Sequence, residues 1–431
     1  MGETKVTVID SICGSGKTSW AIEEMNENIE QKYIYITPFL DEVKRVKEGC
    51  IDRYFCEPNE KLGKGSKYNH FVELLKQGKN IASTHALFRN INKEVADLIK
   101  KHNYILILDE VLNVIEKDVI NPDDFKILKQ MKIIEVDEDN QINWIDEEYN
   151  GELAKYKNSC LNGDMFIVND KVIMWTFPVS IFKSFKHIYI MTFLFEGQAQ
   201  RYYYDMYNIE YDKKSVTLFD DIESSVYGRK YKLIEYKEAD RTELKKLINI
   251  YEGKYNRIGD KKDRERPLSM NWFDRQVENK TDQLDKLKSN MEKYFKNSCK
   301  ETLPNGKQRA YRGEFNIWTV PKKIAVKKGK NGKDNIIYKV RGNSNNFLAW
   351  STRATNEYRH KINIAYCINL YMNVIDYRFF ESRNIKINQD IWALGEMIQF
   401  IFRTQIRDGK PINIYIPSQR MRNLLINWLN S

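Results

Sequence analysis

The sequence has 431 residues, of which 42% are hydrophobic and 30% charged, and this composition predicts two domains, each with a hydrophobic core. Lysine and arginine outnumber aspartate and glutamate by 70 to 60, so the charge of +10 favours a polyanionic partner, although a lysine-rich surface also serves solubility. The chain has no apolar run near the roughly 20 residues of a membrane span, no secretory signal and no CxxC pair among its cysteines. These features exclude secreted, membrane-spanning and zinc-ribbon proteins and predict a cytoplasmic protein, in the host cytoplasm if the gene is viral.

Short apolar runs in the first half of the chain each stop at a polar residue. They are separated by helix-length amphipathic stretches, which is typical of buried parallel strands in an α/β fold. The runs lie at residues 6–9, 33–36, 81–82, 104–108 and 188–191. Ligands bind at the carboxyl ends of such strands, so the polar residues that follow the runs predict a site.

A second set of strand-like runs, interspersed with helical patterns, predicts a second α/β domain. These runs begin at 231–234, 315–318, 347–350 and 412–416. We expect a first domain over residues 1–225 with an insertion at about 115–185, and a second over 226–431. The second domain is predicted to contain a charged insertion at about 253–313, a basic hairpin at 320–340 and an arginine-bearing helix at 390–407.

The strongest local signal is the run Cys13-Gly14-Ser15-Gly16-Lys17-Thr18, which follows a predicted strand and precedes a predicted helix. Backbone N–H groups of such a loop wrap a β-phosphate, and the helix N-terminus adds partial positive charge. Lys17 would reach the β- and γ-phosphates, and the Thr18 hydroxyl would bind Mg²⁺. Ser11 stands where the full pattern has glycine, which is a mild departure. The predicted nucleotide contacts are Gly14, Ser15, Gly16, Lys17, Thr18 and Ser19.

The acidic pair Asp109-Glu110 ends the apolar run at 104–108. In P-loop ATPases one carboxylate at this place holds Mg²⁺ and a second orients or deprotonates the attacking water. We assign Asp109 to the metal and Glu110 to the water. A solvent-facing acidic pair is the alternative for these residues taken alone.

Gln399, Arg403 and Arg407 are spaced four apart, which would place them along one side of a helix that ends near Gly409. Arginines on an otherwise apolar helix can neutralise transition-state charge at a γ-phosphate. The alternative is a solvated polar face.

These residues together resemble the core of a superfamily 1 or 2 helicase, of the DExx-box type seen in phage replication genes. The matching segments follow the order of the helicase motifs: 13–18, 37–38, 83–85, 109–112, 191–193, 351–356 and 399–407. The resemblance implies two RecA-like P-loop domains that use ATP and Mg²⁺ and act on single-stranded or forked DNA. It also implies that Arg403 is the arginine finger, with Gln399 and Arg407 as further catalytic residues. Arg407 follows Arg403 by four residues where the family usually has three, so Arg407 could instead contact the nucleotide or the backbone.

The resemblance further implies nucleic-acid contacts from residues that follow predicted strands. They are Thr37, Pro38, Thr84, His85, Arg353, Thr355 and Asn356. Residues 307–341 add 11 lysines and arginines against two acids, with aromatic residues between them, and Asn331-Gly332 predicts a hairpin turn. Lys327 and Lys328 on this hairpin would follow a phosphate backbone while the aromatics Tyr311, Phe315, Trp318 and Tyr338 stack on bases. A solvated hairpin is the alternative.

The sequence thus predicts an ATP-dependent helicase or translocase that moves along single-stranded DNA, in phage DNA replication or recombination, with replication proteins as partners. A nucleoside kinase or a DNA-packaging ATPase would share the phosphate loop and the acidic pair. A kinase would leave the arginine segment unexplained, and a packaging ATPase usually continues into a nuclease domain.

Overall fold

The computed structural model describes residues 4–88, 93–169, 171–219, 230–260, 265–329, 333–352 and 356–431. The chain forms two compact units, Met1–Glu238 with Asn373–Asn388, and Ala239–Met372 with Gln389–Ser431. The first unit thus extends beyond the expected boundary at residue 225, and it also includes a segment from the second half of the chain.

The strands are β1 Lys5–Asp10, β2 Tyr33–Thr37, β3 Phe55–Cys56, β4 Asn80–Thr84, β5 Ile105–Asp109, β6 Ile115–Val119, β7 Ile134–Val136, β8 Ile142–Trp144, β9 Met165–Val168, β10 Val172–Thr176, β11 His187–Thr192, β12 Asp212–Leu218, β13 Tyr231–Glu235, β14 Ile248–Ile250, β15 Lys300–Thr302, β16 Gln308–Ala310, β17 Asn316–Thr319, β18 Val326–Lys328, β19 Asp334–Ile336, β20 Asn363–Tyr366 and β21 Ile412–Tyr415. The α-helices are α1 Lys17–Glu27, α2 Leu40–Gly49, α3 Lys67–Lys76, α4 His85–Phe88, α5 Lys93–Lys101, α6 Pro122–Gln130, α7 Lys157–Leu161, α8 Val179–Phe182, α9 Ala199–Met206, α10 Thr242–Leu247, α11 Met270–Glu278, α12 Gln283–Asn297, α13 Lys322–Ala325, α14 Val374–Glu381, α15 Gln389–Ile401 and α16 Gln419–Asn430. Within the described ranges, no helix is both long and apolar enough to span a membrane.

The first unit is built on a sheet of order β13-β12-β1-β11-β5-β2-β4-β3, parallel except for β13. Its central strands bury apolar side chains on both faces, which is typical of a parallel sheet in an α/β fold. The register pairs Asp10 with Thr192, and Met191 with Asp109, so the polar ends of β1, β11 and β5 meet at one edge. The predicted α/β fold class is confirmed. Because β13 pairs with β12, the run at 231–234 belongs to this sheet and not to the second domain.

The expected insertion at 115–185 is a small antiparallel subdomain of the first unit. It consists of the sheet β6-β10-β9 and the hairpin β7-β8, and it has its own core around Phe125, Trp144 and Ile167. Helix α14 of the segment Asn373–Asn388 packs on this subdomain. The Phe379 ring meets Phe166 edge-on at 5.6 Å between centroids, and the Arg383 guanidinium lies 4.5 Å from the Phe166 centroid.

The second unit contains a parallel sheet of order β14-β21-β20-β17. The segment expected as a charged insertion at 253–313 is instead part of this unit's main core, which corrects the prediction. Helices α11 and α12 carry their charges outward and bury apolar side chains against the sheet, among them Trp272, Phe273, Leu287 and Met291.

A row of asparagine side chains crosses this second sheet near the amino ends of its strands. The amide of Asn249 donates to Asn413 at 2.9 Å, and Asn413 donates to Asn363 at 2.8 Å. Asn363 donates to Asn316, and Asn316 to Asn343, each at 2.8 Å. We call these five residues the asparagine ladder. Its amides satisfy one another where strand register places them side by side.

Candidate nucleotide site

The loop between β1 and α1 has the backbone geometry of a phosphate cradle. Gly14 and Gly16 adopt φ angles of 85° and 98°, in the left-handed region where glycine alone is unstrained. Helix α1 begins directly afterwards at Lys17 and runs for 11 residues. The N–H groups of its first turn therefore point out of the helix end, together with its positive partial charge.

Lys17 lies folded over this loop. Its Nζ donates to the carbonyl oxygens of Ser11 at 2.6 Å and Ile12 at 3.1 Å. Ser11, which replaces the expected glycine, has its own function, because its Oγ accepts a hydrogen bond from the N–H of Val216 at 2.9 Å. The serine therefore ties the loop to β12.

Asp109 lies at the end of β5 and is held by two hydroxyl groups. Tyr35 donates to its Oδ2 at 3.0 Å and Thr37 donates at 3.4 Å. Burial, followed by the nearby charge of Glu110, raises the pKa of the Asp109 carboxyl to about 7, against the opposing effects of the Tyr35 hydrogen bond and Lys17. A cation beside this carboxylate would offset the desolvation and favour its ionised form.

Glu110 has a strained backbone. Its φ angle is 71°, a conformation that non-glycine residues rarely adopt, and its N–H donates to the Met191 carbonyl at 3.0 Å. Such strain concentrates at functional sites, where it aims a side chain. This observation supports a special role for Glu110 independently of its sequence motif.

Three polar atoms at this edge are buried and make no hydrogen bond to any described residue: Ser15 Oγ, Glu110 Oε2 and Thr192 Oγ1. Native proteins pair nearly all such groups, so these atoms fit contact with a phosphate, a water or a metal's water shell. Within the described part of the chain, no group of three or more His, Cys, Asp or Glu could form an all-protein metal cage. Mg²⁺ fits, because it takes one or two protein oxygens and completes its shell with phosphate and water.

Asp10 is a residue at this edge that the sequence analysis did not select. Its carboxylate accepts hydrogen bonds from the N–H groups of Leu194 at 2.8 Å and Phe195 at 3.1 Å, and Lys213 Nζ lies 3.7 Å away. Burial raises the pKa of Asp10, and Lys213 and the two N–H groups oppose that rise. Asp10 thus fixes the loop after Thr192. The sequence did contain a signal for Asp10, because this polar residue ends the strand directly before the predicted phosphate loop.

The predicted strand contacts near β2 and β4 differ in accessibility. Thr37 is fully buried and its hydroxyl bonds Asp109, so its side chain supports the acidic site and has no surface for a nucleic acid. Pro38, Thr84 and His85 are partly exposed, just after β2 and at the end of β4. The Ser19 hydroxyl accepts a hydrogen bond from Arg45 at 3.1 Å.

The prediction that one helix carries Gln399, Arg403 and Arg407 is wrong, because α15 ends at Ile401. The Thr404 hydroxyl donates to the Ile401 carbonyl at 2.7 Å, and the N–H of the residue after Thr404 donates to the Lys361 carbonyl. These hydrogen bonds turn the chain away from the helix axis. Gln399 therefore lies on α15, Arg403 in a turn, and Arg407 on a short 3-10 helix.

Arg403 is buried within the second unit, where its Nη1 donates to the Trp350 carbonyl at 3.3 Å and its guanidinium lies 5.5 Å from the Phe400 ring centroid. Arg407 is exposed. To reach a phosphate, Arg403 would first have to release the Trp350 carbonyl.

The basic hairpin forms as β18 and β19, with Lys327 and Lys328 exposed. Two aromatic residues predicted to stack on bases are instead buried in the core: Trp318 donates its Nε1–H to Asn343, and Tyr338 packs beside it. Arg353, Thr355 and the Asn356 side chain lie outside the described residues.

A second basic feature could not be read from the sequence, since its residues lie far apart in the chain. The guanidinium groups of Arg266 and Arg420 lie 4.7 Å and 4.3 Å from the Tyr371 ring centroid. Asp390 and Asn369 hold Arg420 at 2.6 Å and 3.0 Å, whereas Arg266 is exposed. This cluster follows β20, beyond the carboxyl end of the second sheet.

Comparison with known proteins gives three kinds of match. Family models match residues 242–429, as the YonV C-terminal Rossmann-like domain, and residues 115–175, as the YonV middle domain. Solved structures titled XPD_Helicase and XPD_APO align over 99% and 98% of this chain and 95% of their own, at 11% identity and a TM-score of 0.46, which supports no conclusion about activity. The SPbeta prophage-derived protein YonV of Bacillus subtilis (strain 168) is 38% identical over 443 residues, covering 99% of each chain. This chain belongs to the YonV family.

Proposed function

We propose that the protein is a Mg²⁺-dependent nucleoside triphosphatase that drives movement along a nucleic acid. The observation that carries the proposal is the convergence of the phosphate loop, Asp109, Glu110 and Thr192 at one edge of the first sheet, with buried polar atoms that have no described partner. A purely architectural edge would be expected to satisfy its own polar groups.

Binding of the phosphates would use the N–H groups of Gly14 to Thr18 and the α1 N-terminus. Lys17 would exchange its two carbonyl partners for phosphate oxygens, which are better acceptors for an ammonium group because they are charged. The Thr18 hydroxyl and the Asp109 carboxylate would hold Mg²⁺. When bound, the cation would supply neutralisation of the phosphate charge.

Glu110 would accept a proton from the attacking water through Oε2, the oxygen that has no described partner. Its left-handed backbone and the hydrogen bond from its N–H to Met191 fix where that oxygen points. Asp10 is a positioning residue, because it holds the loop that follows Thr192.

For the nucleic-acid part of the proposal we favour a helicase or translocase on single-stranded or forked DNA. The order of the sequence motifs, the charge of +10 and the exposed Lys327, Lys328 and Arg266 support it. The prophage origin of the YonV relative fits a setting in phage DNA replication or recombination. Arg403, the finger that the helicase resemblance implies, or the exposed Arg407, would stabilise the charge of the transition state.

ATP turnover with and without single-stranded DNA tests the proposal in the parent protein, Lys17→Ala and Arg403→Ala. We expect DNA to stimulate turnover, and Lys17→Ala to abolish it by removing the phosphate ligand. Arg403→Ala should lower turnover by about 10³-fold or more if this arginine acts as the finger.

Thermal unfolding and ADP affinity of Arg403→Ala are the controls, because this arginine is buried and its removal also costs packing. Arg407→Ala, an exposed matched arginine, shows which of the two acts on the phosphate. ATP consumption that appears only when a nucleoside is added would identify a kinase and reject the motor.

A further inference from the structure

The phosphate loop has an aromatic neighbour on the far side of β12. The Tyr231 ring lies so close to Gly16 that a Cβ atom placed there would fall 2.0 Å from Tyr231 Cε1 and 2.6 Å from Cζ. A side chain at position 16 is therefore excluded by the ring as well as by the φ angle of 98°. The Tyr231 ring therefore packs directly against the loop at Gly16.

Two features fix this ring. Tyr231 is the first residue of β13 and pairs with Leu218, so it lies at the same sheet edge as the ends of β1 and β11. Its N–H donates to Glu23 Oε2 on α1 at 3.1 Å. The side chain, like that of Ile22, packs against the first core and is partly buried. A core tyrosine would be buried, whereas this residue is only partly buried and lies beside the predicted phosphate site.

We propose that Tyr231 is the platform for the nucleobase. The inference rests on the proposed function, because a nucleotide whose phosphates occupy the loop must direct its base to one flank, and Tyr231 forms such a flank. A flat ring on a partly buried residue that a strand and a helix hold in place suits stacking, and it loses little conformational freedom on binding.

Stacking selects for a planar base but tolerates any of them, since every base has a π-face. The ligands of this subsite are therefore nucleoside di- and triphosphates, with purines bound more tightly than pyrimidines because their stacking area is larger. Pyrophosphate, which has no base, would bind the loop without using Tyr231.

Calorimetric titration of the full-length protein with MgADP and with magnesium pyrophosphate tests this assignment. Tyr231→Leu removes the ring but keeps apolar bulk beside Gly16, and Tyr231→Phe keeps the ring. We expect Tyr231→Leu to weaken ADP binding by about 5- to 150-fold and to change pyrophosphate binding by less than about twofold, with Tyr231→Phe close to the parent. Tyr54→Leu, at a tyrosine that is 79% exposed in the same unit, is the matched control and should bind both ligands like the parent.

An unchanged ADP affinity in Tyr231→Leu would overturn the inference, and so would an equal loss for ADP and pyrophosphate, which would mean that the ring only supports the loop. The proposed function fails in a different way. In that case the parent would bind neither ligand, or Lys17→Ala would bind pyrophosphate as tightly as the parent does.

Discussion

The carboxyl edge of the first sheet and the amino edge of the second both carry a row of polar side chains, but the two rows differ in their partners. In the asparagine ladder each amide donates to the next residue across four strands. At the first edge, Ser15, Glu110 and Thr192 each keep a buried polar atom with no described partner. A row that satisfies itself stabilises architecture, whereas a row that does not is suited to a ligand.

The carboxyl edge of the second sheet, unlike its amino edge, also carries polar groups that do not satisfy one another. The Thr319 hydroxyl and the Tyr366 hydroxyl, at the ends of β17 and β20, are buried without a hydrogen-bond partner among the described residues. Burial raises the pKa of Tyr366, so this phenol stays neutral and can donate. In both sheets, buried polar groups without a hydrogen-bond partner among the described residues lie at the end where α/β proteins bind ligands.

The largest expected effect is at Glu110. Glu110→Gln should lower single-turnover ATP hydrolysis by about 10²- to 10⁴-fold, because the amide cannot accept the proton of the water. Glu110→Gly should be equally inactive yet more stable by about 1 kcal/mol, because glycine adopts φ 71° without strain.

Lys132→Gly is the matched control for Glu110→Gly. Lys132 also has a left-handed backbone, with φ 54°, but lies in the antiparallel subdomain, so its variant should gain stability and keep full activity. Activity retained in Glu110→Gly would show that the strained residue is architectural and would remove the contrast between the two rows.

The next effect is a loss of stability in the asparagine ladder. Asn363→Leu leaves the Asn413 amide and the Asn316 oxygen without their partner, and we expect the second unit to lose about 2–4 kcal/mol in denaturant unfolding. Asn249→Leu, at the exposed end, should cost less than about 1 kcal/mol. MgADP affinity should not change in either variant. A large fall in affinity would mean that the ladder also serves the site.

A smaller effect is expected at the hairpin. Removing both charges in Lys327→Ala/Lys328→Ala should lower the slope of log affinity against log salt by about 1.4 for single-stranded DNA, since each phosphate contact contributes about 0.7. Lys245→Ala/Lys246→Ala, at adjacent exposed lysines on α10, is the matched control and should keep the slope. If the two double variants show the same slope of log affinity against log salt, the hairpin does not contact the DNA and is a solvated surface.

The last prediction concerns Asp164, whose buried Oδ2 also lacks a described partner although it lies in the antiparallel subdomain. Burial raises the pKa of its carboxyl to about 7 from the ordinary 3.8. The folded protein then holds a proton that the unfolded chain has lost, so stability falls as pH rises from about 4 to 7 and levels off above. Asp164→Asn should therefore raise the melting temperature more at pH 8 than at pH 5.

Asp97→Asn, at an exposed residue on α5, is the control for Asp164 and should show no such pH-dependent gain. If Asp164→Asn also shows no pH-dependent gain in melting temperature, the buried carboxyl of Asp164 is not protonated in the folded protein. Asp164 would then join Ser15, Glu110 and Thr192 as a group that awaits a ligand.

Local patterns in the sequence predicted the first unit well, because strand, phosphate loop and helix follow one another within a few residues. The run at 104–108 became β5, and Lys17 begins α1 as its motif requires. The roles of Thr37 and Asp10 could not be read in this way, since each depends on which strand lies next to it.

The second unit was harder to predict because distant contacts decide its local structure. The four-residue spacing of the arginines fits a helix, yet Thr404 and the carbonyl of Lys361 end that helix. The contact between Tyr231 and Gly16 joins residues more than 200 positions apart, and the ladder joins four strands. The sequence holds no periodic signal for either arrangement.

The segment Asn373–Asn388 belongs to the first unit although residues of the second unit flank it on both sides. The polypeptide therefore passes between the units three times, and no single backbone cleavage can release two intact halves. A fragment that ended at Glu238 would expose Phe166, which α14 covers through Phe379. Limited proteolysis or truncation will yield an intact first unit only if α14 stays attached to it, for example as a covalent fusion.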